Sequence, residues 1–130
     1  MSRKFDELIE RAREAQREAY ATYSGFKVGA AILAEGGEVF SGCNVENSSY
    51  GLTICAERVA VFKAVSEGKR KFKSVVVFSD RLVIPCGACL QVFAEFSPGM
   101  EVYLASSQGK VKKYNLSDLL PKPFKMNNDQ

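Results

Sequence analysis

Apolar residues recur along the chain with two periods. Over residues 3–19, Phe5, Leu8, Ile9, Ala12, Ala15 and Ala19 fall on one face at three- and four-residue steps, with charges elsewhere. That pattern predicts an amphipathic helix. Tyr20 to Gly25 reads as a loop. Lys27 to Ala34 predicts a strand, Glu35-Gly36-Gly37 a tight turn, and Glu38 to Cys43 the returning strand. Asn44 to Gly51 is polar and irregular. Residues 54–67 predict a second helix, ended by Gly68. Its Val59, Ala60, Val61, Phe62, Ala64 and Val65 leave little polar face. A helix apolar almost all round is buried on more than one side, and in a small domain that points to a subunit interface. Ser74 to Ser79 predicts a short central, parallel strand. Gly87 to Phe96 predicts a third helix closed by Ser97-Pro98-Gly99, and Glu101 to Ala105 a further strand. Ser106 to Lys110 turns into Val111 to Tyr114. Ser117 is expected to cap a short turn at Asp118-Leu119-Leu120, stopped by Pro121. This order predicts an α/β fold, a three-layer α/β/α sandwich whose mixed five-stranded sheet joins an antiparallel hairpin to parallel strands.

Length and composition set the class. A chain of 130 residues is the size of one domain, expected to span 1–130. Hydrophobic residues at 46% and charged residues at 25% are ordinary for a soluble globular protein. No stretch approaches the roughly 18 apolar residues of a membrane span, and no apolar signal region follows Met1, so no membrane partner and a cytoplasmic location are expected. A net charge of +3 is too small to imply a nucleic-acid partner. The basic run Lys69-Arg70-Lys71-Phe72-Lys73 reads as a solvated loop after a helix. The chain has no His and no Trp. A metal site must then use Cys, Asp or Glu, and a Ser-His or Cys-His nucleophile pair is excluded within one chain. A general acid–base catalyst must be a carboxylate, Lys, Tyr or Cys.

Three readings compete for the cysteines Cys43, Cys55, Cys86 and Cys89. Disulfides suit the even number, but a domain this long does not need such staples. A redox pair at Cys86-Gly87-Ala88-Cys89 suits a strand-to-helix junction but leaves the segment around Cys55 unexplained. Zinc accounts for both segments. Cys55 opens one predicted helix, Cys86 and Cys89 open another, and helix N-termini favour thiolates. Three protein ligands leave a fourth tetrahedral position open, as catalytic zinc requires. Three thiolates on Zn²⁺ carry a net −1, and Arg58, one turn from Cys55, is placed to draw off that charge. Glu57, two residues after Cys55, is placed near the open position. Cys43, at a strand end, reads as a buried free thiol acting as a small hydrophobe.

Cys55-Ala56-Glu57-Arg58 and Pro85-Cys86-Gly87-Ala88-Cys89 resemble the paired zinc motifs of the cytidine deaminases, specifically the short homotetrameric class with three cysteine ligands. Residues 23–31, 42–50 and the C-terminal Leu119-Leu120-Pro121 with Phe124 also resemble segments of that family. The resemblance implies one Zn²⁺ per chain, held by Cys55, Cys86 and Cys89, and Glu57 as the proton carrier. It implies that Asn44 and Glu46 bond the ribose hydroxyls, that Phe26 stacks near the pyrimidine, and that the Ala56 N–H meets the base carbonyl. Phe124 would reach a neighbouring subunit's site, with Ser48 and Tyr50 near shared sites. The implied reaction turns cytidine or deoxycytidine and water into uridine or deoxyuridine and ammonia, in pyrimidine salvage. Three features depart from the usual pattern: Lys27 where Pro is usual, Leu90 where Arg is usual, and a shortened segment between Asp80 and Pro85. Blasticidin S, which some relatives accept, is a rival amine. A nucleic-acid deaminase would usually carry a His ligand and a broad basic surface, and this chain has neither.

Overall fold

The computed structural model describes residues 2–126. Helix α1 runs Arg3–Arg17. The Ser2 hydroxyl accepts from the Phe5 N–H at 3.1 Å to cap its start, and Arg17 faces the negative end of its dipole. The helix stops short of the predicted residue 19 because its last turn tightens, with Glu18 and Ala19 N–H groups donating to Ala15 and Gln16 carbonyls. Strands β1 (Gly29–Ala34) and β2 (Val39–Cys43) form the expected hairpin. β1 begins two residues later than predicted because the Asn44 side chain, not another strand, pairs with the backbone there. Its amide donates to the Phe26 carbonyl and its oxygen accepts from the Val28 N–H, each at 2.9 Å.

The segment after β2 is irregular but stitched. Val45 and Ile54 exchange two backbone hydrogen bonds of 3.0 Å, and Tyr20 pairs with the same stretch from the other side. Ile54 is thus held in a bridge, and the second helix α2 starts at Ala56 and runs to Ser66 rather than over 54–67. Gly68 ends it with φ near +91°, a left-handed backbone that glycine adopts at no steric cost.

The remaining elements are β3 (Phe72–Ser79), α3 (Gly87–Phe96), β4 (Glu101–Ser106), β5 (Val111–Asn115) and a short α4 (Leu116–Leu119). The sheet order is β2-β1-β3-β4-β5. β3 is central as predicted, but it is parallel only to β4 and antiparallel to β1. Asn115, not Ser117, caps α4. It forms a capping box with Asp118, whose carboxylate accepts the Asn115 N–H at 3.0 Å.

Three layers result. On one face α1 packs Phe5, Leu8 and Ala12 against Ala31, Leu33, Val76 and Phe78. On the other, α2 and α3 pack Ala60, Val61, Ala64, Leu90 and Phe93 against Ala30, Ile32, Val75, Val77 and Leu104. Both faces of β1 are covered, which explains its unbroken apolar run. Two glycines let the helices come this close. A methyl on Gly29 would overlap the Ala12 carbonyl and stand 2.5 Å from the Gln16 nitrogen. A methyl on Gly42 would stand 2.6 Å from the Ala60 nitrogen and 2.8 Å from the Ala56 carbonyl. Backbone against backbone cannot yield as a flexible side chain can, so Gly42→Ala must push α2 off the sheet. The expected loss is at least the ~1–3 kcal/mol of an overpacked core, read as a lower midpoint in denaturant. Because the contact lies in the first turn of α2, metal content measured by atomic absorption should fall with it.

Candidate active site

Local chain geometry brings the cysteines together. Cys55 is the N-cap of α2, Cys86 is the N-cap of α3, and Cys89 lies in the first turn of α3. α2 returns through a short turn into β3, and β3 leads through residues 80–85 into α3. Both helix N-termini therefore stand at the C-terminal edge of β3. The Cys55 and Cys86 sulfurs are 3.8 Å apart, those of Cys86 and Cys89 3.4 Å, and all three lie within 4.8 Å of one another. A tetrahedral zinc with bonds of ~2.3 Å sets its sulfurs about 3.8 Å apart, so the cluster has the size that ion needs. Among the described residues no fourth Cys, Asp or Glu joins the group. All four cysteines are free thiols. Cys43 lies outside the cluster and is half-buried, with burial pushing its thiol up.

The electrostatics suit a thiolate at Cys55. Hydrogen bonding within the cluster, first with Cys89 and then with Arg58, brings Cys55 down to about 5, while the shared bond and burial push Cys89 up. Arg58 Nη2 stands 3.6 Å from the Cys55 sulfur, and its Nε is buried without a partner. Contact with the Cys55 sulfur raises the guanidinium's pKa, so the cation is locked on beside the sulfurs. A half-buried cation against the Cys55 sulfur fits a site whose metal complex would carry net negative charge.

Glu57, in the first turn of α2, is only 5% exposed. Burial is the main cause that raises its carboxyl to about 7, and the Cys55 charge adds to it. The carboxyl lines a cavity of about 300 Å³ together with Cys55, Ala56 and Cys86. That is within the range of small-molecule sites, at its lower end. Phe26, Asn44 and Glu46 line the same cavity, so these predicted residues do meet around one space. Asn44 is buried and spans residues 26 and 28 as described above. Glu46 Oε1 accepts from the Tyr23 and Ser24 N–H groups at 2.9 Å each, and its Oε2 accepts from the Ser24 hydroxyl. The Ser24 hydroxyl is the chief cause that holds Glu46 below the usual carboxylate range.

Other predicted residues lie elsewhere in the chain. Tyr50, 76% exposed, lines an adjoining hollow of about 310 Å³ with Tyr23, and Ser24, Glu46 and Thr53 border both spaces. Ser48 is exposed on the same loop. Phe124 is exposed beside α3, where the Gln91 side chain holds its N–H and carbonyl at 3.1 and 2.9 Å. The cavity also has an apolar wall that sequence reasoning missed: Val28, Val77, Val83 and Ile84. Ile84 is half exposed yet lies one residue before Pro85, so its nearness to the zinc motif was the available signal.

Comparison with known proteins agrees with this geometry. Residues 2–105 match the family model of the cytidine and deoxycytidylate deaminase zinc-binding region. The chain is 50% identical over 122 residues to a cytidine deaminase of Sporosarcina psychrophila, covering 92% of this chain and 90% of that one. It is 51% identical over 120 residues to a cytidine deaminase of Halalkalibacterium halodurans, covering 90% and 91%. The crystal structure of cytidine deaminase from Burkholderia pseudomallei superposes with a TM-score of 0.89 at 47% identity, covering 95% of this chain and 100% of that one. With motif, fold and near-complete coverage in agreement, the chain belongs to the zinc-binding cytidine and deoxycytidylate deaminase family.

Proposed function

We propose that this chain deaminates cytidine and deoxycytidine hydrolytically to uridine and deoxyuridine, releasing ammonia, with one zinc ion per chain on Cys55, Cys86 and Cys89. The observation that carries the reading is the juxtaposition, on the wall of one cavity, of a buried Glu57 carboxyl with Cys55 and Cys86, whose sulfurs converge with that of Cys89. The names of its relatives support the substrate class.

Zinc held there by Cys55, Cys86 and Cys89 would supply the Lewis acidity that lowers a water's pKa to about 7. The chain's own groups do the rest. Glu57 takes a proton from the water that attacks C4 and delivers it to ring N3. It then takes the second proton from the hydroxyl now on C4 and hands it to the amine, so that C4 becomes a carbonyl as the C4–N bond breaks and ammonia leaves. A carboxyl raised by burial is suited to both transfers, because its affinity for protons lies close to the operating pH. Arg58 draws charge from the Cys55 sulfur, which keeps the three-thiolate centre electrophilic. Ala56 opens α2, so its N–H has no partner within the helix and can meet the base carbonyl. Phe26 gives the pyrimidine an aromatic face.

Asn44 and Glu46 serve the ribose. After its two backbone bonds, Asn44 keeps one amide hydrogen and one lone pair, and Glu46 keeps lone pairs on Oε2. The same bonds that tie them to residues 23–28 preorganise them, so little freedom is lost when the sugar arrives. Ser48, Tyr50 and Phe124 act at sites shared between subunits. Their exposure in one chain is consistent with that role, as is the exposure of Tyr23, Leu52 and of Phe62 on α2. The proposed assembly is a homotetramer. Unpaired thiols persist in a reducing compartment, so the reading also carries a cytoplasmic place in pyrimidine salvage.

Three outcomes are expected. Loss of cytidine absorbance should stop when a chelator strips the protein and return when zinc is added back. Full turnover by metal-free protein would exclude the reading. Glu57→Gln should keep its zinc, measured by atomic absorption, and lose about 10⁴-fold or more in kcat, because one side chain handles several protons. A variant retaining most of its rate would remove Glu57 from the role. Phe62→Glu, which places a charge on the exposed side of α2, should lower the mass seen by light scattering from that of four chains. Its far-UV circular dichroism should stay unchanged, since the side chain is 45% exposed in the single chain.

A further inference from the structure

Arg81 takes no part in the chemistry described so far, yet it sits on a residue that does. Its guanidinium carbon lies 4.7 Å from the centroid of the Phe26 ring, a cation–π contact. Phe26 lines the cavity, whereas the exposed Arg81 does not.

The backbones that carry the two residues are both pinned. Buried Ser79, the last residue of β3, donates its hydroxyl to the Arg81 carbonyl at 2.6 Å. The Phe26 N–H donates to Ser24 Oγ at 3.0 Å, and its carbonyl accepts from Asn44. The Gln16 amide on α1 then ties the two loops together, reaching the Lys27 carbonyl at 3.0 Å and Asp80 Oδ1 at 3.4 Å. With both backbones held, the freedom left to Phe26 is rotation of its side chain, and a planar cation stacked on the ring restricts it. The loop of Arg81 also supplies Val83 and Ile84 to the cavity wall and leads into Cys86.

We propose that Arg81 is a positioning residue that clamps Phe26 as the wall against which the pyrimidine packs, joining that wall to the loop that leads to the metal centre. The inference rests on the reading of Phe26 as the pyrimidine's aromatic face. It predicts an effect on substrate binding and none on the proton transfers of Glu57 or on the sulfurs.

Steady-state kinetics on cytidine with the zinc-loaded enzyme test it. Arg81→Ala should raise KM about two- to fivefold, the range carried by a solvent-exposed cation–π contact, with kcat and zinc content retained. Arg81→Lys should recover part of the loss, since it restores the charge over the ring but not the flat guanidinium. Phe26→Leu should raise KM by itself, and adding Arg81→Ala to it should change nothing more. An unchanged KM in Arg81→Ala, beside a raised one in Phe26→Leu, overturns the clamp and leaves the aromatic wall standing. An equal Arg81→Ala effect in both backgrounds, or a fall in kcat with loss of zinc, also overturns it. No KM change in Phe26→Leu removes the reading of Phe26 on which the clamp depends.

Discussion

The structure turns on the meeting of two helix N-termini at one edge of β3. Chain direction enforces it. α2 feeds β3 through a turn and so starts where β3 ends, and α3 starts a few residues after that end. The partial positive charge of each N-terminus then falls on the same small volume, where thiolates are most stable. Three sulfurs drawn from positions 55, 86 and 89 meet there without any loop being distorted to bring them. The parallel pairing of β3 with β4 is what places α3 on this face of the sheet, alongside α2. Only a hairpin thin enough to accept α2 lets Cys55 reach the cluster, and Gly42 supplies that thinness where β2 meets the first turn of the helix.

Once the sulfurs converge, their combined charge governs the neighbouring side chains. The first turn of α2 carries Cys55, Glu57 and Arg58, so one turn of helix presents a ligand, a carboxyl and a cation. Burial presses the Glu57 carboxyl toward its neutral form, and the Cys55 charge presses the same way. A dication held among the sulfurs would offset part of their charge, and with it part of that upward push. Opposed influences of this kind hold a carboxyl able to take up and give back a proton. The other half of the cavity works by hydrogen bonding. Asn44 and Glu46 each bind backbone of residues 23–28, so the polar groups that line the site also hold its aromatic wall in place.

Periodicity made the helices legible, and residue spacing singled out the cysteines that cluster, because both are properties of short segments. The layer order and the mixed sheet followed from the order of elements. What escaped was set by contacts between distant segments. Lys27 has strand character, yet the Asn44 side chain takes the place a neighbouring strand would fill, so β1 starts later. Ser117 has the chemistry of a cap, but Asn115 stands at the right turn and Asp118 completes the reciprocal bond. β3 reads as a buried parallel strand because both faces are covered, and that burial is equally compatible with one antiparallel neighbour. The contact between Arg81 and Phe26 joins positions 55 residues apart, and no local pattern announces it.

Leu90, directly after Cys89, shows how packing and charge are divided around the centre. Its side chain goes into the core, where it is buried against the elements beneath α3. It contributes packing to the helix that carries two of the sulfurs and no charge to the centre. Among the described residues Arg58 is then the cation that hydrogen-bonds a cluster sulfur, and it does so with its Nε buried and unpaired. Leaving a guanidinium nitrogen buried and unsatisfied is costly, and the cost is offset only if the sulfurs it faces carry charge. The charge balance of this centre therefore depends on a single side chain and two helix termini, and the proton affinity of Glu57, lowered by Arg58, is tied to the same balance.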